Sequence, residues 1–174
     1  SAKYTSGILS IADIGELTVA EKQNLYPKSF VDLFTFIDGQ EEGIKGYSTN
    51  EYLETMFELL YVNFTDLRVN QTHVDIFKED KISQYNIKKE TPTHASNLEY
   101  MAKLYQNHPR TKYPTEEFYN QINLKDVQDF YIDRFKDGGN FNFVIIGDFE
   151  FDEIERLIEK YIGSLPKVDR KDGY

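Results

Sequence analysis

Apolar side chains recur every three or four residues in several parts of the chain, which is the spacing of an amphipathic helix. The clearest case follows residue 51, and we expect it to form the most buried helix. Its apolar positions are Leu53, Met56, Phe57, Leu60, Tyr61 and Phe64. The same spacing predicts further helices over residues 18–26, 72–91, 96–106, 123–135 and 149–162.

Three other stretches have the composition of β-strands. Residues 29–37 (SFVDLFTFI) carry aromatic and β-branched side chains on both alternating faces, which predicts a strand covered on both sides. A turn over residues 38–43 leads to a second, antiparallel strand over residues 44–47. The apolar run FNFVIIG at residues 141–147 is bounded by turn residues, which predicts a central strand.

Capping signals predict where several helices begin and end. Thr18 with Glu21 and Ser48 with Glu51 each have the spacing of a capping box. Gly163 is predicted to be a left-handed cap, with Leu165 folding back as its apolar partner. The helix over residues 96–106 is expected to bury Leu98, Met101, Ala102 and Tyr105, and residues 109–120 are expected to form a loop.

Together these elements predict an α+β fold with helices packed on a mostly antiparallel sheet. Residues 1–167 are expected to form one domain and residues 168–174 a polar linker or tail. Two or three strands are few for an independent sheet, and the chain starts at Ser1 rather than at Met. We therefore expect it to be a piece of a longer protein.

The charge excludes some classes of partner. The 174 residues contain 30 acidic and 20 basic side chains, a formal net charge of −10, and no cysteine. Nucleic-acid binding needs clustered Lys and Arg, so a nucleic acid is not expected as partner. No stretch has the roughly 20 apolar residues of a membrane span. Without cysteine, a metal site would need histidine and carboxylate ligands.

The histidines do not form a recognisable metal motif. His73, His94 and His108 are too far apart in sequence for two of them to share one helix face, as H-x-x-E-H or H-E-x-x-H requires. A long-range site stays open as an alternative. The sequence also lacks a nucleophile elbow, a Walker loop and a dinucleotide-binding glycine motif.

Adjacent carboxylates are interpreted as surface charge rather than as an acid–base pair. The pairs are Glu41 with Glu42, Glu116 with Glu117, and Asp152 with Glu153. In so acidic a chain such pairs are usually solvated or lie in the first turn of a helix.

A series of motifs ends the chain: LKDVQDFY at 124–131, Arg134-Phe135, NFNFVIIGDF at 140–149 and YIGSLP at 161–166. This series resembles the M16 zinc metallopeptidases, the insulinase and pitrilysin group. In that family a helix, a strand ending in Gly-Asp or Gly-Asn, and a helix closing on Tyr-x-Gly-Ser-Leu-Pro finish a repeated α+β domain. Upstream, EGIKGYS at 42–48, LETMFELLY at 53–61 and NHPR at 107–110 look like the second half of the long bacterial, PqqL-like members.

The resemblance implies a partial LuxS/M16 metallopeptidase-like (processing-peptidase-like) domain. Such proteins have four homologous domains in two bowl-like halves that enclose a peptide, and the first domain binds zinc through H-x-x-E-H. A further zinc-binding glutamate lies downstream, in a helix resembling residues 74–85 here. This chain has no H-x-x-E-H, and Gln84, Tyr85 and Asn86, where that glutamate would be expected, are not acidic. No catalytic, cofactor-binding or metal-binding residue is therefore carried over.

The leading hypothesis is a non-catalytic domain, the third of four and N-terminally truncated. It would form chamber wall, position the peptide substrate and pack against the catalytic half, with no peptidase activity alone. Its expected partners are the other domains of its parent and the peptide, and zinc is expected only in the catalytic domain of the parent. A periplasmic or exported location is expected for the parent because many long bacterial members are exported.

Two alternatives differ in class from this hypothesis. One is a non-peptidase scaffold subunit that reuses the M16 fold, which an absence of H-x-x-E-H throughout the parent would favour. The other is an independent enzyme with a long-range site built from histidine and carboxylate ligands. Stoichiometric zinc that is lost on substitution of His73 or His94 would favour that enzyme.

Overall fold

The computed structural model describes residues 2–37, 41–108, 111, 113–135 and 137–168. Its α-helices are α1 (Ala2–Leu9), α2 (Val19–Leu25), α3 (Leu53–Thr65), α4 (Gln71–Lys89), α5 (Pro92–Leu104), α6 (Glu116–Asn120), α7 (Leu124–Phe135) and α8 (Phe151–Leu157). Its strands are β1 (Asp13–Ile14), β2 (Val31–Ile37), β3 (Glu42–Ser48) and β4 (Leu67–Arg68). The chain divides into two compact units, Ser1–Asn70 with Lys125–Tyr174, and Gln71–Leu124, which we call the main unit and the helical unit.

The strands form two small antiparallel pairs in the main unit. β2 pairs with β3 along its whole length, from Val31 opposite Ser48 to Ile37 opposite Glu42, and β1 pairs with β4. The predicted hairpin is therefore confirmed, although residues 38–40 of its turn lie outside the described residues. The prediction that its first strand is covered on both faces is wrong: Val31, Thr35 and Ile37 are buried, but Phe34 on the opposite face is 48% exposed.

Helix α3 is the centre of the main unit, as its apolar periodicity predicts. Phe57 packs with Ile154, Leu157 and Tyr161, which belong to α8 and the π-helical turn Ile158–Ile162 that extends it. Leu59 lies in a second cluster, which contains Ile14 of β1 and Val31 of β2. One helix thus joins the hairpin to the C-terminal helix through buried apolar contacts.

Of the two predicted capping boxes, one is confirmed and the other is wrong. The capping box of Thr18 and Glu21 is present, since the Thr18 hydroxyl accepts from the Glu21 amide and the Glu21 carboxylate accepts from the Thr18 amide. The prediction of a capping box at Ser48 and Glu51 is wrong. Ser48 is the last residue of β3, and a 3₁₀ turn, Asn50–Tyr52, precedes α3. Ser48 is therefore paired with Val31 in the hairpin and does not cap α3.

The end of the C-terminal helix also differs from the prediction. Gly163 is right-handed, with φ −62° and ψ −20°, so its assignment as a left-handed cap is wrong. Its amide donates to the Ile158 carbonyl at 2.8 Å, closing the π turn, and a Cβ there would lie 2.8 Å from the Glu159 carbonyl oxygen. Glycine is needed for this close approach rather than for a positive φ.

The run FNFVIIG is not a paired strand. Residues 141–146 have irregular backbone in the structure, so the prediction of a central strand over residues 141–147 is wrong as regards pairing. Their alternating burial nevertheless has the period of two that a strand would show.

The helical unit contains α4, α5 and α6. Helix α4 buries Val74 and Phe77, as predicted, whereas α5 buries His94 and leaves Leu98, Met101 and Tyr105 exposed, contrary to prediction. Helix α6 lies inside the predicted loop over residues 109–120, with the Thr115 hydroxyl accepting from the Phe118 amide. In the part of the chain that is described, no helix is long and apolar enough to cross a membrane.

Candidate functional site

The histidines do not converge on a metal-binding arrangement in the described residues. His73 is buried on α4, His94 is buried on α5, and His108 is exposed after α5. Within residues 2–37, 41–108, 111, 113–135 and 137–168, no group of three His, Asp or Glu side chains could hold a metal ion. The described residues therefore do not fit a zinc site.

His94 is enclosed by aromatic rings instead of carboxylates. The side chain is 8% exposed, and its ring meets those of Tyr85 and Tyr113 edge to face at centroid distances of 5.9 and 4.9 Å. Its Nε2 finds no hydrogen-bond partner among the described residues. This surrounding is that of a packed core histidine, because a metal ligand would need further ligands within bonding distance.

The place at which the family's downstream zinc-binding glutamate would be expected is occupied by neutral side chains. Gln84 donates to both carboxylate oxygens of Asp80, at 3.0 and 2.9 Å, and Tyr85 packs against His94. The Asn86 side-chain oxygen is buried without a hydrogen-bond partner in the described structure. An amide, a phenol and a second amide are poor zinc ligands.

The three carboxylate pairs lie where surface charge is expected. Glu116 with Glu117 and Asp152 with Glu153 occupy the first turns of α6 and α8, where the helix dipole favours negative charge. A hydrogen bond from Thr115 lowers the pKa of Glu117. Glu42 lies 3.4 Å from the Arg134 guanidinium. These contacts support the interpretation of the pairs as surface charge.

The most unusual surface of the main unit is formed by residues 141–146, which we call the unpaired segment. Its inward side chains lie on an aromatic cluster: Phe141 stacks on Phe135 at 5.4 Å and meets the Phe64 ring edge to face at 4.9 Å. Ile145 packs on the cluster around Phe57. The segment is therefore anchored to α3 and α7 by one face.

The other face of the unpaired segment is open. Val144 is 80% exposed and Ile146 is 91% exposed, and Phe151 at the start of α8 is 72% exposed. Among the described residues, no backbone amide or carbonyl of residues 142–149 is hydrogen-bonded to another backbone group. The sequence indicated this surface only indirectly, through its shortage of strands.

A family model supports the resemblance that the motifs suggested. Residues 121–173 match the family described as "Peptidase M16 inactive domain". The matched range contains α7, the unpaired segment, α8 and the Gly-Ser-Leu-Pro sequence at residues 163–166.

One curated protein and several solved structures are similar over most of the chain. The "Probable zinc protease PqqL" of Haemophilus influenzae is 20% identical over 156 residues, which are 87% of this chain and 16% of that protein. The periplasmic protease PqqL from Escherichia coli matches with a TM-score of 0.79 and 19% identity, covering 99% of this chain and 19% of that one.

Two further structures share the fold. The ferredoxin protease FusC, solved with Arabidopsis ferredoxin, matches with a TM-score of 0.74 and 12% identity, over 99% of this chain and 19% of that one. A protease from Helicobacter pylori matches with a TM-score of 0.72 and 14% identity, over 98% of this chain and 42% of that one.

These findings confirm the predicted resemblance to the M16 metallopeptidases and the α+β fold that it implied. Over residues 121–173 the resemblance is to the domain that the family model describes as inactive. The chain spans less than a fifth of the curated relative and of the Escherichia coli structure.

Proposed function

We propose that these residues form a non-catalytic domain of a longer, bacterial M16-type zinc metallopeptidase. In that protein the domain forms part of the wall of the chamber that encloses a peptide, and it packs against the catalytic half. The observation that carries this proposal is the match of residues 121–173 to the inactive M16 domain, on a fold that follows PqqL over 99% of the chain.

The proposed division of labour leaves zinc and the H-x-x-E-H motif outside this chain. It is supported by the missing motif in the sequence and by the described His, Asp and Glu side chains, which form no three-ligand group. The relative from Haemophilus influenzae is described as a probable zinc protease, which supports zinc as the cofactor of the longer protein.

The proposed contacts with other domains and with substrate need exposed surface, and the hairpin offers one. Phe34 and Tyr47 are exposed and lie on the outer face of β2 and β3. Lys45, on the same face, lies 4.1 Å from the centre of the Phe36 ring. Aromatic side chains are enriched in protein interfaces, which supports packing or peptide contact there. The ferredoxin complex of FusC supports a polypeptide as the substrate class.

The test is activity of the full-length product of the gene that encodes these residues. We expect hydrolysis of an unstructured peptide that stops when zinc is chelated or when the glutamate of an upstream H-x-x-E-H is replaced by glutamine. The double substitution of His73 and His94 by alanine in this chain serves as the matched control and leaves chelator-sensitive hydrolysis present, because neither residue binds zinc in the proposal.

The competing outcomes are distinct. A full-length product without H-x-x-E-H and without hydrolysis would favour the scaffold subunit. Hydrolysis that disappears in the His73 and His94 variants while the protein stays folded would contradict a non-catalytic role. The proposal also predicts a periplasmic or exported location, supported by the description of the Escherichia coli relative as periplasmic.

A further inference from the structure

The outer face of the β2–β3 hairpin carries a row of exposed aromatic side chains. Phe34 is 48% exposed and lies opposite Lys45 in the strand register. Tyr47 is 52% exposed and lies opposite Asp32, so the Phe34 and Tyr47 rings are diagonal neighbours on one face. Phe30, directly before β2, follows the same alternation and is 44% exposed. This face therefore offers apolar rings to a partner.

The charges on this face are mainly positive, although the chain as a whole has a formal net charge of −10. The Asp32 carboxylate faces two ammonium groups, those of Lys22 at 3.8 Å and Lys28 at 3.9 Å. The Lys45 ammonium lies 4.1 Å from the centre of the Phe36 ring, and it has no carboxylate partner in the part of the chain that the structure describes. Three lysines thus accompany one carboxylate, which makes this face locally cationic.

The partner that matches both properties is a polypeptide with acidic and apolar side chains. Its carboxylates can pair with Lys45 and with Lys28, whose side chain is 59% exposed. Its apolar side chains can bury the rings of Phe34 and Tyr47, and aromatic residues of this kind are enriched in protein interfaces. A nucleic acid fits less well, because two exposed lysines neutralise too few phosphates on so acidic a chain.

We propose that the outer face of the hairpin binds a polypeptide segment in which apolar side chains are flanked by aspartate or glutamate. The inference rests on the proposed function for the source of that segment, which is the peptide enclosed by the longer protein. The net charge of the chain does not prevent this binding. At about 0.15 M salt, charges interact strongly only within about 8 Å, so the lysines at the contact determine the preference.

Fluorescence anisotropy of three labelled peptides tests the proposal at that salt concentration. All three have a glycine–serine background. The first carries two phenylalanines flanked by aspartates, the second has lysines in place of the aspartates, and the third has alanines in place of the phenylalanines. We expect the 174-residue chain to bind the first peptide at least about fivefold more tightly than either of the others. The net charge alone would favour the lysine peptide.

Substitutions on the hairpin locate the binding site. Phe34→Ala and Lys45→Glu should each weaken binding of the first peptide by about three- to tenfold, whereas Lys45→Arg keeps the charge and should retain binding. Tyr100→Ala is the matched aromatic control, since that ring is 63% exposed on α5. Lys88→Glu makes the same change of net charge at an exposed lysine of α4. Both controls should leave binding unchanged, and circular dichroism checks that every variant is folded.

The full-length gene product, with zinc chelated to prevent cleavage, should show the same losses in Phe34→Ala and Lys45→Glu. Unchanged binding in these full-length variants would show that another domain covers the face, and would overturn the proposal. The proposal also fails if the lysine peptide binds the 174-residue chain as tightly as the first, if the first peptide does not bind, or if folded hairpin variants bind normally. Tighter binding of oligothymidylate, or a dimer of the chain that Phe34→Ala abolishes, would likewise contradict it.

The two proposals can fail separately. Selective binding that depends on Phe34 and Lys45, in a full-length product without peptidase activity, would leave this inference standing while the proposed function fails. Chelator-sensitive hydrolysis by the full-length product, together with no selective binding at the hairpin, would do the reverse.

Discussion

Tyr131 carries a hydroxyl group that finds no partner in the described structure. Its ring is buried and stacks on Phe135 at 4.9 Å, and burial raises the pKa of Tyr131 far above its usual range. A buried polar group without a hydrogen bond costs about 1–3 kcal/mol. The buried ring of Tyr131 therefore stabilises the folded state, whereas its unpaired hydroxyl destabilises it.

Tyr131→Phe should raise the free energy of unfolding by about 1 kcal/mol, because it removes the unpaired hydroxyl and keeps the ring. Tyr161→Phe is the matched control, since the Tyr161 hydroxyl donates to the Glu58 carboxylate at 2.9 Å. It should lower the free energy of unfolding by about 1 kcal/mol. Urea unfolding of both variants measures the contrast, and a loss of stability in Tyr131→Phe would show that its hydroxyl has a partner.

Glu54 makes stability depend on pH. Its carboxylate accepts from Lys160 at 2.8 Å and from Arg156 at 3.5 Å, and these hydrogen bonds lower the pKa of Glu54. The contact also raises the pKa of Lys160. A carboxyl group with a lowered folded-state pKa contributes stability above its unfolded pKa and loses it as the pH falls through the folded value.

Glu54→Gln should therefore lower the free energy of unfolding at neutral pH, and the difference from the native chain should vanish once the pH falls below the folded-state pKa. Both side chains are partly exposed, so added salt should shrink the difference. Urea unfolding at several pH values measures this, with Lys160→Met completing a double-mutant cycle. A difference that persists unchanged in acid would contradict the ion-pair explanation.

At the scale of elements, the turn at residues 137–140 holds the Gly-Ser-Leu-Pro sequence in place. The Gly138 amide donates to the Pro166 carbonyl at 2.8 Å, and a Cβ at Gly138 would lie 2.7 Å from the Leu165 Cβ. The turn at Gly138 and the YIGSLP motif at residues 161–166 therefore meet through Leu165 and Pro166.

Gly138→Ala should lower the free energy of unfolding by about 1–3 kcal/mol, because the added methyl group has no space beside Leu165. Gly139→Ala is the matched control: its Cβ would lie 3.2 Å from an Asp137 side-chain oxygen and 3.3 Å from the Lys167 side chain, which can move. The free energy of unfolding should therefore fall less in Gly139→Ala than in Gly138→Ala. Equal losses in the two variants, measured by urea unfolding, would contradict close packing of Leu165 on Gly138.

The sequence predicted elements better than it predicted their surroundings. Periodicity located α3, α4, α7 and the hairpin because local spacing determines which side chains share a face. It could not show what covers each face, so Phe34, Leu98 and Met101 are predicted to be buried but are exposed. A strand also needs a neighbouring strand to pair with, which explains why residues 141–147 match the pattern of a strand without forming a ladder.

At the scale of the whole molecule, motif order was more informative than composition. The series from Leu124 to Pro166 indicated the M16 fold, and the family model covers that range. The absence of H-x-x-E-H in the sequence indicated a non-catalytic part. Which surfaces would meet the rest of the proposed longer protein could not be predicted, because the pattern within a chain does not show what another part of a protein covers.

The central claim is that this chain has no zinc-dependent chemistry of its own. Its most direct test is the zinc content of the purified 174-residue chain, measured together with hydrolysis of an unstructured peptide before and after chelation. We predict far less than one zinc ion per chain and no hydrolysis. One zinc ion per chain with chelator-sensitive hydrolysis, both lost on substitution of His73 or His94, would contradict the account.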